Sequence, residues 1–150
     1  MSVLNALNIA IEVATRKRDA ARQVLRDAQR IEQAGQAQLT QLTGYAQETQ
    51  QRWGARPGVA MKPEVMYHHY QFMGRLEQAI GMQTTVVRDQ GQRVAQAQQA
   101  LLQAELRVQS LKKMVERKQH ELMVAQMRKE QKQTDERAGL RLTHAYHNSP

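Results

Sequence analysis

The sequence breaks in one place. Gly54-Ala55-Arg56-Pro57-Gly58, followed by Pro63, is the stretch whose residues force the backbone out of a helix. Pro57 has no amide hydrogen to donate and Gly58 turns without steric cost, so the pair demands a loop. The chain has three prolines and the third is Pro150, so neither flank of the break is interrupted. Pro63 suits the first turn of a new helix, where a missing N–H costs nothing, and Glu64 complements the positive helix end. The sequence therefore predicts a helix over about residues 4–52, a loop over 53–62, a second helix over about 63–140 and a frayed tail over 141–150, in a single domain.

Hydrophobic spacing supports two long helices that pair. Alternating steps of three and four in the first visit Leu4, Leu7, Ile11, Ala14, Arg18, Ala21, Leu25, Ala28, Glu32, Gly35, Leu39, Leu42 and Ala46. In the second they visit Met73, Leu76, Ile80, Gln83, Val87, Gln90, Val94, Ala97, Leu101, Ala104, Val108, Leu111, Val115, Lys118, Leu122 and Ala125. Most are apolar and the mean step is the coiled-coil repeat. A short connection makes the helices antiparallel neighbours. The expected fold class is all-α, a long two-helix antiparallel coiled-coil hairpin. Arg18 and Glu32 fall on the first seam while Val24 and Ile31 lie just beside it, a drift that predicts a loosely wound pair. Composition agrees, because aromatic residues are only 4% of the 150 residues, too few for a compact globular core of that length.

The arms are unequal. At 1.5 Å per residue the helices span roughly 70 and roughly 115 Å, so pairing from the loop exhausts the first helix near residue 115 and leaves about 25 residues of the second without a partner. This arm is basic. It carries Lys112, Lys113, Arg117, Lys118, Arg128, Lys129, Lys132, Arg137 and Arg141 against Glu116, Glu121, Glu130, Asp135 and Glu136. Lys112–Glu116, Arg117–Glu121 and Lys132–Glu136 have the spacing of weak ion pairs. A lone helix of this length is marginal in water, so the arm is expected to fray when free and to order when bound.

The formal net charge of +8 admits nucleic acid, anionic lipid or an acidic protein surface as partner. Nucleic acid fits poorly, because acidic residues interleave with the basic ones and no aromatics accompany them for base stacking. The chain has no cysteine, which excludes disulfides and thiol chemistry. No apolar run is long enough to span a bilayer, and the stretch from Met1 to Ala14, with Glu12 inside it, reads as amphipathic helix and not as a secretion signal. These features predict a cytosolic protein, peripheral at most to a membrane.

No catalytic set is recognisable, and no cofactor or metal is expected. His68 and His69 are consecutive and point apart on a helix, which reads as solvent-facing polar residues, and His144 and His147 lie in the tail. Gly35, Gly44, Gly74, Gly81 and Gly91 each cost a helix about 1 kcal/mol relative to Ala. Close helix–helix approach or tolerated softness is the simpler reason for them; cleared space for a partner near the loop end is the other.

The aromatics gather near the loop. Tyr45 lies near the end of the first helix, Trp53 falls in the loop, and Tyr67, Tyr70 and Phe72 open the second helix, beside Gln38, Leu39, Leu42, Leu76, Glu77, Ala79 and Ile80. A two-helix seam has one buried stripe and cannot cover them all. Periodicity assigns Leu76 and Ile80 to the seam and places Phe72 and Ala79 on a neighbouring face. Either they form a cap packed on the loop, or they form an exposed docking patch.

The order Gln38-Leu39, Leu42, Tyr45, loop, Tyr70-Gln71-Phe72, Leu76-Glu77-Gln78-Ala79-Ile80, Gln83 resembles the bacterial flagellar export protein FliJ family. Lys112-Lys113, Glu116-Arg117-Lys118 and Asp135-Glu136-Arg137-Ala138 fit the same resemblance, which covers nearly the whole length. It implies a non-enzymatic part of the type III flagellar export apparatus, built like the central stalk of rotary ATPases. The implied partners are the hexameric export ATPase, the membrane export-gate protein and export chaperones. It also implies a gate-binding patch of Gln38, Leu42, Tyr45, Phe72, Leu76 and Ala79, with Thr49 standing where the family often has an aromatic. The free arm, through Lys112, Lys113, Arg117, Lys118, Leu122, Arg128 and Lys129, is then expected to reach the ATPase. The stalk of a virulence-type secretion system is the neighbouring alternative.

Overall fold

The computed structural model describes residues 2–54 and 62–147, which form two helices. The first, α1, is Val3–Gly54 with 52 residues, and the second, α2, is Pro63–His147 with 85. They contact each other as a helical hairpin, as the spacing predicts, and no strand occurs among the described residues.

The helix ends follow from local chemistry. The Ser2 hydroxyl accepts the Asn5 amide and the Ser2 carbonyl accepts the Ala6 amide, both at 3.2 Å, so Ser2 caps α1. Pro63 holds the first position of α2, and the Lys62 carbonyl accepts the Met66 amide at 3.1 Å. Two boundaries differ from expectation. Trp53 and Gly54, expected in the loop, finish α1. The tail expected to fray from 141 is helical through His147, because nothing after Gly139 breaks a helix until Pro150. The turn expected at Pro57-Gly58 and residues 148–150 lie outside the described residues.

The chain divides into two compact units. A terminal unit joins residues 1–17 with 104–150, and a loop-proximal unit comprises residues 18–103. In the terminal unit Ala14, Val108 and Leu111 form the buried cluster, with Leu7, Ala10 and Ile11 packed against it. Val108 is 1% exposed, and burying a side chain of this kind contributes about 2 kcal/mol. Val115, Lys118 and Val124 are half-buried, and every residue over 125–147 is exposed. Leu122 and Ala125, expected on the seam, are therefore off it. The heptad pattern of α2 continues past the point where α1 has residues left to cover it.

In the loop-proximal unit the helices are antiparallel, since Trp53 meets His69, Tyr45 meets Phe72 and Gly35 meets Gln83. The expected seam positions of both helices are all buried or half-buried here. Val24 and Ile31, read as drift of the α1 seam, are instead 58% and 53% exposed, so α1 keeps a single register. Polar residues interrupt this seam. Gln83 Nε2 donates to the Gly35 carbonyl at 2.9 Å. A Cβ on Gly35 would collide with the Gln90 side-chain amide, and one on Gly91 would come within 3.2 Å of Glu32 Oε2. Close approach therefore accounts for Gly35 and Gly91. It does not account for Gly44, Gly74 or Gly81, where a Cβ would meet nothing within 4 Å.

Candidate protein-docking surfaces

The loop-proximal aromatics divide into two kinds. The Trp53 and His69 rings stack at 4.9 Å and 21°, joining the last turn of α1 to the second turn of α2. His69 is thus half-buried against an indole, not a solvent-facing residue as its sequence context suggests. Tyr45 and Phe72 meet edge to face, with centroids 5.9 Å apart and planes at 89°. They remain 53% and 36% exposed, so the contact orients the rings without hiding them. Tyr67 and Tyr70 are exposed, and Gln71 Nε2 donates to the Tyr67 hydroxyl at 2.9 Å. One part of the cluster is therefore packed between the two helices and another part is exposed.

Of the six residues that resemblance assigns to the gate-binding patch, Gln38, Tyr45 and Phe72 are exposed and Leu42 and Ala79 half-buried. Leu76 is the exception. At 7% exposed it is a seam residue, and it is unavailable to a partner while the helices are paired. Its position three residues after Met73 and four before Ile80 puts it on the buried stripe, as periodicity requires.

The basic arm belongs to the terminal unit. Lys112, Lys113, Arg117, Leu122, Arg128 and Lys129 are exposed, and Lys118 is half-buried. The spaced pairs Lys112–Glu116, Arg117–Glu121 and Lys132–Glu136 do not form. Among the described residues the arm holds one ion pair, Lys118 Nζ to Glu121 Oε2 at 3.9 Å. The order is the reason: a Lys or Arg that precedes its acid by four residues is poorly aimed at it. The arm consequently presents its cations to solvent. Leu122, Met123 and Met127 lie exposed among them.

A third surface escaped the sequence reading. Val24 and Ile31 stand on the edge of the seam at seven-residue spacing and lead on to Gln38 and Tyr45. On α2 the matching series is Phe72, Ala79, Val86, Arg93 and Ala100. The signal was in the sequence, but beside the seam it looked like imperfect register.

No three His, Cys, Asp or Glu side chains among the described residues gather as a metal site, and no described helix is long and apolar enough to cross a membrane. Residues 4–145 match the family model described as flagellar FliJ protein, which is nearly the whole chain. No curated protein and no solved structure matches the chain.

Proposed function

The chain belongs to the FliJ family, a non-enzymatic component of the flagellar export apparatus, and from that premise we propose that it couples the export ATPase to the membrane export gate. The observation that carries this reading is the exposed Tyr45–Phe72 pair. Two aromatic rings held edge to face on a surface are a preformed anchor, because little side-chain entropy remains to be lost on binding. The gate protein docks there, with Gln38, Leu42 and Ala79 around the rings.

The basic arm serves the other partner. A helix pair is roughly 20 Å across, slender enough to enter the centre of a protein ring. The arm enters the ATPase hexamer with Lys112, Lys113, Arg117, Lys118, Leu122, Arg128 and Lys129 against it. Catalysis belongs to the ATPase, and this chain biases its assembly or its cycle. Export chaperones bind the same protein on the cytoplasmic face of the membrane.

Binding to the purified cytoplasmic domain of the gate protein tests this reading. Tyr45→Ala with Phe72→Ala is expected to weaken binding at least about tenfold, equivalent to 1.4 kcal/mol, with helicity intact. Unchanged affinity in that double variant would remove the proposed gate contact.

A further inference from the structure

Features that soften a helix pair gather at one level of the loop-proximal unit. Between Ala28 and Leu39 the α1 seam holds Glu32 and Gly35, and between Ile80 and Val94 the α2 seam holds Gln83, Val87 and Gln90. Val87 is the one apolar side chain among these five seam positions. No residue of α2 between Leu76 and Val94 is buried, and the buried residue of α1 at this level is Gly35, which has no side chain to pack. On both sides the seam is apolar again, with Leu39, Leu42, Leu76 and Ile80 toward the loop and Leu25, Val94 and Ala97 away from it.

The polar groups here are unevenly matched. Gln83 Nε2 donates to the Gly35 carbonyl at 2.9 Å, while Gln90 Oε1 is buried against the same glycine without a partner. The backbone is softened at the same level. The Thr40 and Thr43 hydroxyls of α1 donate to the Gln36 and Leu39 carbonyls, both at 3.0 Å. Those of Thr84 and Thr85 on α2 donate to the Ile80 and Gly81 carbonyls at 2.8 and 3.2 Å. A hydroxyl returned to the carbonyl four residues back competes with the helix's own hydrogen bond and favours bending. Gly35, Gly81 and Gly91 add the poorest helix former after proline.

We propose that this level is a joint: residues 32–40 and 81–91 open locally while the apolar seam on either side stays paired, and the loop end tilts about it. A polar seam section opens at little cost because it buries little apolar surface, whereas its neighbours hold by packing. The joint sets the direction in which the Tyr45–Phe72 end points. It belongs to the chain alone, so it stands or falls separately from gate binding.

Hydrogen exchange of the full chain, followed by mass spectrometry, tests it. Amides of 32–40 and 81–91 are expected to exchange at least about tenfold faster than those of 21–28 and 94–101, and at least about threefold faster than those of 42–47 and 72–78. The expected profile is therefore a dip within each helix and not a fall toward its end. Glu32→Leu with Gln90→Leu fills the layer and should remove the dip. Gln83→Ala, which deletes the bond to Gly35, should speed exchange at the joint by about threefold or more and leave the flanks unchanged. The chain has no cysteine, so spin labels on Arg26→Cys and Glu48→Cys, two exposed sites about 33 Å apart along a straight helix, report bending directly. Their distance distribution should be broad and should narrow in the leucine variant. A flat profile, one that falls steadily toward the loop, or a dip that neither the leucine pair nor Gln83→Ala alters overturns the proposal. So does a narrow label distance in the otherwise unaltered chain.

Discussion

Gln83 reaches across the seam to donate its amide to the Gly35 carbonyl at 2.9 Å, between residues that are 48 apart in sequence. One heptad further along α2, Gln90 presses its side-chain amide against the same glycine, and its Oε1 is buried without a hydrogen-bond partner. The two glutamines are therefore energetically unequal. Gln83→Ala should lower stability by about 1 kcal/mol through the lost hydrogen bond and lost packing. Gln90→Leu keeps the volume and removes an unsatisfied polar atom, and should raise stability by about 1 kcal/mol. Thermal melts followed by circular dichroism check both; a lower melting temperature for Gln90→Leu contradicts the assignment.

Gly81 stands on α2 with open space where its Cβ would be. Nothing inside the chain requires a glycine there. Gly81→Ala should therefore gain about 1 kcal/mol of helix propensity, seen as a rise of about 3 °C in melting temperature. A fall in melting temperature would mean that this stretch of α2 needs the backbone freedom of glycine.

Leu76 and Phe72 are one helical turn apart and do different work. Leu76 is buried in the seam, so Leu76→Ala should cost about 3 kcal/mol of stability. Phe72 packs on Tyr45 while exposed, so Phe72→Ala should cost only about 1 kcal/mol yet lose the gate protein. Denaturant unfolding paired with a gate-binding titration separates the two. If Leu76→Ala weakens gate binding under conditions where it is fully folded, then Leu76 contacts the partner directly.

The seam was legible because a three-four spacing leaves few alternatives. It held from Leu4 to Ala46 and from Met73 to Lys118. It misled at Leu122 and Ala125, where the pattern persists but the partner helix has ended. Leu76 shows the value of the physical reading beside the resemblance: spacing put it on the buried stripe, and there it lies. What faces a glycine is a three-dimensional fact, so Gly35 against Gln90 and the empty space at Gly81 look alike in sequence. The Trp53–His69 stack was hidden for a similar reason, since it joins residues on either side of the loop. The ion pairs of the arm failed on orientation, which residue spacing alone does not carry.

Turnover of the purified export ATPase tests the coupling account most directly. Residues 125–147 are all exposed, so a chain ending at Val124 should melt like the full chain. The account predicts that the full chain raises ATP hydrolysis and ring formation and that the shortened chain, which keeps Lys112 to Leu122 but lacks Arg128 and Lys129, stimulates less. No change on adding the full chain, or equal stimulation by the shortened one, would contradict it.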